Sequence, residues 1–186
     1  MKKFAVALFA AAMTVALPAV AADFKLTSAD VKAGGTVENT YVFKGFGCEG
    51  GNASPALSWS GAPAGTKSFA ITVYDPDAPT GSGWWHWVVY NIPANATELP
   101  EGAGTADGKG LPAGSAQGKT DFGAPGFGGA CPPKGDKPHR YIFTVYALKT
   151  DKLEVPAGAT AALTGFFLWQ NTIEKASFSV IAGPRK

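Results

Sequence analysis

The chain has 186 residues, is 46% hydrophobic, and carries 16 Lys and Arg against 14 Asp and Glu. Two of the 16 basic residues, Lys2 and Lys3, sit at the extreme N-terminus, so residues 22–186 hold 14 basic and 14 acidic side chains. That zero balance excludes a general nucleic-acid binder, which needs a basic face to displace counterions. The scattered Lys and Arg positions also provide no patch for an anionic membrane surface.

Lys2-Lys3, an apolar run over residues 4–17 and then Pro18-Ala19-Val20-Ala21-Ala22 form the pattern of a secretory signal peptide. The run is shorter than the roughly 20 apolar residues of a spanning helix, so stable membrane insertion is not expected. Residues 1–21 are assigned to the leader, cleaved after Ala21 or Ala22, and residues 22–186 to one domain in the periplasm or secreted. A chain of that length supports one hydrophobic core. Cys48 and Cys131 are the two cysteines; an even count in an exported chain reads as a disulfide, with two buried thiols as the alternative.

Along the chain, short apolar runs alternate with clusters of glycine and proline. Strands are expected over residues 36–43, 56–60, 67–74, 85–92 and 139–148, with a short one over 178–181. Short strands with turn-rich spacers indicate a mainly β sandwich or barrel. Residues 160–175 lack proline and place Leu163, Phe166, Phe167, Trp169 and Ile173 at helical spacing. They read as a helix capped by Thr160, closed by Lys175, with its aromatic residues packed into the core. Residues 99–137 contain eleven glycines and form a long connection, the kind that is usually functional when ordered.

His86 and His139, the only histidines, each start a strong strand candidate. Tyr74-Asp75-Pro76-Asp77-Ala78-Pro79 ends another, and its prolines restrict where the two carboxylates point. Strand ends beside loops are where a scaffold presents functional groups. A carboxylate near a histidine favours the imidazolium, which can donate to an anion. The backbone of residues 126–129 is rich enough in glycine to approach the same anion, and Trp84, Trp85 and Tyr141 would wall the pocket. The alternative is two structural histidines and a tight turn.

Tyr74-Asp75-Pro76-Asp77-Ala78-Pro79 followed by Trp84-Trp85-His86-Trp87-Val88-Val89-Tyr90-Asn91-Ile92-Pro93 resembles the first signature of the phosphatidylethanolamine-binding protein family. Pro132-Pro133-Lys134-Gly135-Asp136-Lys137-Pro138-His139-Arg140-Tyr141 resembles the second. With Gly45-Phe46-Gly47-Cys48 and Ser54-Pro55-Ala56-Leu57-Ser58-Trp59 the likeness spans most of residues 22–186 and is similar to the bacterial Raf-kinase-inhibitor-like branch. The resemblance implies antiparallel sheets with one or two peripheral helices and a cavity for phosphate-like head groups. It implies Asp75, His86, His139 and Tyr141 as polar groups of that cavity, Trp84 and Pro132 as walls, and Gly129 as a main-chain contact. Asp77 and Arg140 are implied as supports, Asp77 fixing its loop and Arg140 pairing with a carboxylate. Relative to eukaryotic members, Cys131 replaces a glycine, and a C-terminal helix beyond Lys186 is not expected.

The leading expectation is therefore a periplasmic binding protein for a small anionic or phosphorylated ligand, with no cofactor and no resident metal. A protein-interaction or inhibitor module with an unidentified partner is a second reading. A hydrolase using the Asp and His groups is a third, without a Gly-x-Ser-x-Gly elbow or a His-Glu-x-x-His helix to support it. A zinc site from Asp75, His86 and His139 would have a suitable ligand count, though its ligands are dispersed along the chain.

Overall fold

The computed structural model describes residues 23–185. The proposed leader, residues 1–21, lies outside the described residues. The strands in chain order are β1 (Lys25–Thr27), β2 (Lys44–Gly45), β3 (Cys48–Glu49), β4 (Leu57–Ser60), β5 (Ser68–Asp75), β6 (Trp84–Pro93), β7 (Glu98–Leu99), β8 (Ala116–Gln117), β9 (His139–Leu148) and β10 (Thr172–Ala182). One helix, α1 (Ala161–Asn171), precedes β10. The five-stranded sheet runs β10-β9-β5-β6-β8 and the three-stranded sheet β1-β4-β7, with every paired strand antiparallel.

Strand alternation explains the layering. On β5, Phe69, Ile71 and Val73 join Leu26, Leu57, Trp59 and Leu99 of the smaller sheet, and Phe24 just before it, in one buried cluster. Ring contacts Trp59–Phe69 at 5.4 Å and Phe24–Phe69 at 6.2 Å mark that interface. Ala70, on the other face of β5, packs with Leu148, Leu153 and Leu168 of α1. With both faces covered, β5 is buried at every position except Tyr74, which is half-buried. Cys48 and Cys131 form a disulfide that ties the β2–β3 hairpin to the end of the long connection.

Two sequence expectations are corrected. Residues 36–43 are not a continuous strand: a turn of 3-10 helix, Asn39–Tyr41, interrupts two isolated bridges at Thr36 and Val42. The helix stops at Asn171, so Ile173 and Lys175 belong to β10. Its buried face is Ala161, Thr164 and Leu168, whereas Trp169 is 74% exposed and Leu163, Phe166 and Ile173 are exposed with it. α1 is apolar on more than one face, and spacing alone selects the larger side chains. The face that is buried is the one on which Leu168 packs against Ala70, Leu148 and Leu153, with Phe167 partly covered beside it. Thr160 does cap the helix, its hydroxyl accepting from the Leu163 N–H at 3.1 Å.

Candidate functional site

A β-bulge sets the site. β5 and β6 pair Asp75 with Trp84, Tyr74 with Trp85 and Val73 with Trp87, so His86 is an extra residue without a partner across the ladder. Bulges re-aim side chains, and this one changes the phase of β6. Trp84 shares the face of Asp75, Trp85 turns to the opposite face and meets Tyr74 with ring centroids 4.5 Å apart and the planes tilted by 39°, and His86 faces the cavity. Thus Trp85, expected as a wall, lies on the far side of the sheet.

The cavity has a volume of about 190 Å³ and is lined by Asp75, His86, His139 and Tyr141 among Phe46, Ala78, Pro79, Thr80, Trp84, Phe122, Cys131 and Pro133. Asp75, at the end of β5, is buried. One of its oxygens accepts from the Asp77 N–H at 2.8 Å and the other from His139 Nδ1–H at 2.8 Å. The backbone after Asp75 is thus fixed by its own side chain, and Pro76 restricts it further. Gly83 closes the loop at φ +70°, where a Cβ would collide with the Tyr74 hydroxyl and the Asp75 carbonyl.

Asp77 points away from the lining and meets Arg140. The guanidinium donates through Nε to one carboxylate oxygen at 2.8 Å and through Nη2 to the other at 3.0 Å, and the Arg140 N–H donates at 3.0 Å. These bonds hold the Asp77 carboxyl well below the usual range against the opposing effect of burial. The pair joins the β5–β6 loop to the start of β9.

The two histidines differ in charge. His86 Nδ1 lies 2.7 Å from the Gly128 carbonyl, an obligate acceptor, so Nδ1 carries the proton. Burial pushes its pKa from 6.5 down to about 4, against the Gly128 bond and the Asp75 charge. His86 is therefore neutral near pH 7, in contrast to the expected imidazolium, and Nε2 makes no hydrogen bond with the described residues. His139 places Nδ1 on Asp75 and Nε2 on Asp136, the latter at 3.2 Å. Burial opposes its charge, but the two carboxylates outweigh burial and raise the pKa. Both N–H groups of His139 are thereby occupied, so its role in the wall is to fix Asp75 rather than to present a free donor. Burial and the Asp75 charge also raise the Tyr141 phenol, which stays protonated as a donor.

The glycine segment is differently placed from the expectation. The Gly128 N–H donates to the His86 carbonyl at 2.9 Å and the Gly129 N–H to Asn52 Oδ1 at 2.8 Å. Gly129 and Pro132 lie outside the lining, and Pro132 offers its carbonyl to Arg185 at 3.0 Å. The adjacent Pro133 is the wall residue. Phe46, Phe122 and Asp136 were not singled out for the site. Asp136 belongs to the second signature and Phe122 to an Asp-Phe-Gly triplet inside the long connection, which were the available signals. Phe122 stacks on Phe43 at 4.4 Å and meets the edges of Trp84 at 5.4 Å and His86 at 5.2 Å. Its ring sits where a Cβ on residue 128 would be, 2.2 Å from the nearest ring carbon, which is why that position is glycine. Among the described residues, no three His, Cys, Asp or Glu side chains converge as metal ligands.

Comparison with known proteins agrees with this architecture. The family model described as phosphatidylethanolamine-binding protein matches residues 27–182. The UPF0098 protein YbcL of Escherichia coli is 58% identical over 167 residues, covering 90% of this chain and 91% of that protein. YbhB of the same organism is 49% identical, covering 84% and 98%. The crystal structure of Escherichia coli YbcL superposes with a TM-score of 0.86, covering 88% of this chain and all of the other. That of the homologue CT736 from Chlamydia trachomatis gives 0.71 at 30% identity, covering 87% and 97%. The chain therefore belongs to the phosphatidylethanolamine-binding protein family.

Proposed function

We propose that this chain is an exported binding protein for a small phosphorylated ligand, held between Asp75, His86 and Tyr141 in the 190 Å³ cavity. The observation that carries the reading is the pairing of two unlike groups in one largely apolar cavity: a buried, pre-oriented carboxylate and a neutral histidine with one nitrogen unused. A phosphate monoester monoanion complements them. Its P–OH donates to His86 Nε2, or its proton passes to that nitrogen, and Tyr141 donates to a phosphoryl oxygen. The family's description names a lipid whose head group carries both phosphate and ammonium, and Asp75 would suit the ammonium. Asp77, Arg140 and His139 act as positioning residues, holding Asp75 in place before a ligand arrives. Gly129 and Pro132 contribute by shaping the backbone behind the wall. The secretory pattern of the N-terminal residues supports the periplasm as the setting of this activity.

Binding in this mode takes up a proton relative to the free dianion of a phosphate monoester, whose second pKa is about 6. Affinity therefore rises as pH falls from 8 towards 6. The test is an NMR titration of the disulfide-intact protein with inorganic phosphate and phosphoethanolamine, following both imidazole rings from pH 5.5 to 8. The reading requires His86 signals that move with ligand, an apparent His86 pKa that rises on binding, and loss of both effects in Asp75→Asn. Rings that ignore millimolar ligand, or an affinity independent of pH, would remove it.

A further inference from the structure

A second cavity of about 530 Å³ adjoins the first, and Phe122 belongs to the lining of both. The partition between them is a cluster of three rings. Phe46 faces the small cavity and Phe43 the large one, with Phe43–Phe122 at 4.4 Å, Phe43–Phe46 at 5.4 Å and Phe46–Phe122 at 5.9 Å. Phe46 is 71% exposed and held at φ +51°, a conformation that a bulky residue rarely adopts. The disulfide at Cys48 and Arg185, which donates to the Gly47 carbonyl, keep its hairpin in place.

Among the described residues, no ionisable side chain lines the large cavity. Its polar side chains already have partners. The Asn52 amide bridges the Phe127 carbonyl and the Gly129 N–H, Ser54 Oγ accepts from the Gly104 N–H, Thr120 donates to the Ala124 carbonyl, and Thr105 donates to Asp107. No group there would neutralise a second charge. What remains is apolar surface and glycine backbone, and Phe122 is the residue it shares with the small cavity.

Resting on the reading of the small cavity as a phosphate site, we propose that the two cavities form one bipartite site for an organic phosphate whose uncharged, apolar substituent crosses Phe122 and occupies the second cavity. The anionic end determines where the ligand is anchored, and the substituent determines which phosphate ester is preferred. Phe122 is then the specificity-determining residue, since its ring sets the width of the passage.

Isothermal titration with inorganic phosphate, methyl phosphate and n-hexyl phosphate tests this on the oxidised chain. Hexyl phosphate should bind at least about tenfold more tightly than methyl phosphate, given the usual gain per buried methylene. It should shift the amide signals of Ala124, Phe127 and Gly128 beyond the changes that inorganic phosphate causes. Ala106→Trp and Ala124→Trp, at exposed positions lining the large cavity, should abolish the hexyl advantage and leave methyl phosphate affinity unchanged. Equal affinity for the methyl and hexyl esters, or a hexyl advantage that survives both substitutions, overturns the bipartite site while phosphate binding stands. Absence of binding by all three probes overturns the phosphate reading itself, and the inference with it.

Discussion

Acidification tests the electrostatic account of the site most directly. His86 is buried as the neutral ring, with its pKa lowered from 6.5 to about 4. The unfolded chain binds a proton at this residue below about 6.5, whereas the folded chain refuses it until about 4. The stability associated with neutral His86 is therefore complete above pH 6.5 and lost as pH falls towards 4. At about 1.36 kcal/mol per pH unit, the loss amounts to about 2.5 kcal/mol by pH 4.5. His139 does not confuse the measurement. Its raised pKa gives a contribution fully present below about 6.5 and lost only as pH rises through its higher folded value. Asp77 and Asp136, both lowered, begin to lose their contributions only below the ordinary carboxylate value of 3.8. Urea unfolding at pH 7, 6, 5 and 4.5 should show the decline in the wild type. His86→Asn, which retains a donor for the Gly128 carbonyl, should be less stable at pH 7 and nearly flat over the same range. A wild-type midpoint that holds steady down to pH 5, or a variant that declines just as steeply, would refute the assignment of a neutral buried His86.

Three further outcomes follow from the packing. Replacing Cys48 and Cys131 with serine releases an 83-residue loop and should lower the unfolding free energy by about 4 kcal/mol, read from denaturant midpoints, with an unchanged stability arguing against a native bridge. Gly128→Ala drives a methyl group into the Phe122 ring and should cost about 1–3 kcal/mol and change Trp84 fluorescence; an unaltered spectrum would mean that the ring is not seated there. Trp169→Gln removes a ring that is 74% exposed and should shift stability by no more than about 0.5 kcal/mol. A loss of about 3 kcal/mol or more in thermal or urea unfolding would return this residue to the core, as its helical spacing suggests.

Local chemistry alone determined β5, β6 and β9, the three central strands of the main sheet. Within His139–Leu148, every residue from Tyr141 to Tyr146 is β-branched or aromatic, and the observed ends of the strand coincide with the expected ones. Asp75, His86, His139 and Tyr141 were legible as a group because two separated signatures carry them, and the structure brings all four to one cavity. Long-range contacts decided the rest. The face that α1 buries depends on what lies beneath it, and no periodicity in an apolar helix contains Ala70 or Leu148. The phase of Trp84, Trp85 and His86 depends on a bulge, which exists only once β5 pairs with β6. The charge of each histidine depends on groups far away in sequence. His86 lies 42 residues from the carbonyl that orients it, and His139 lies 64 from Asp75, one of the two carboxylates that charge it, the other being the nearby Asp136. A sequence specifies which side chains can ionise. Burial and the distance to a partner decide whether they do, and both are properties of the folded chain.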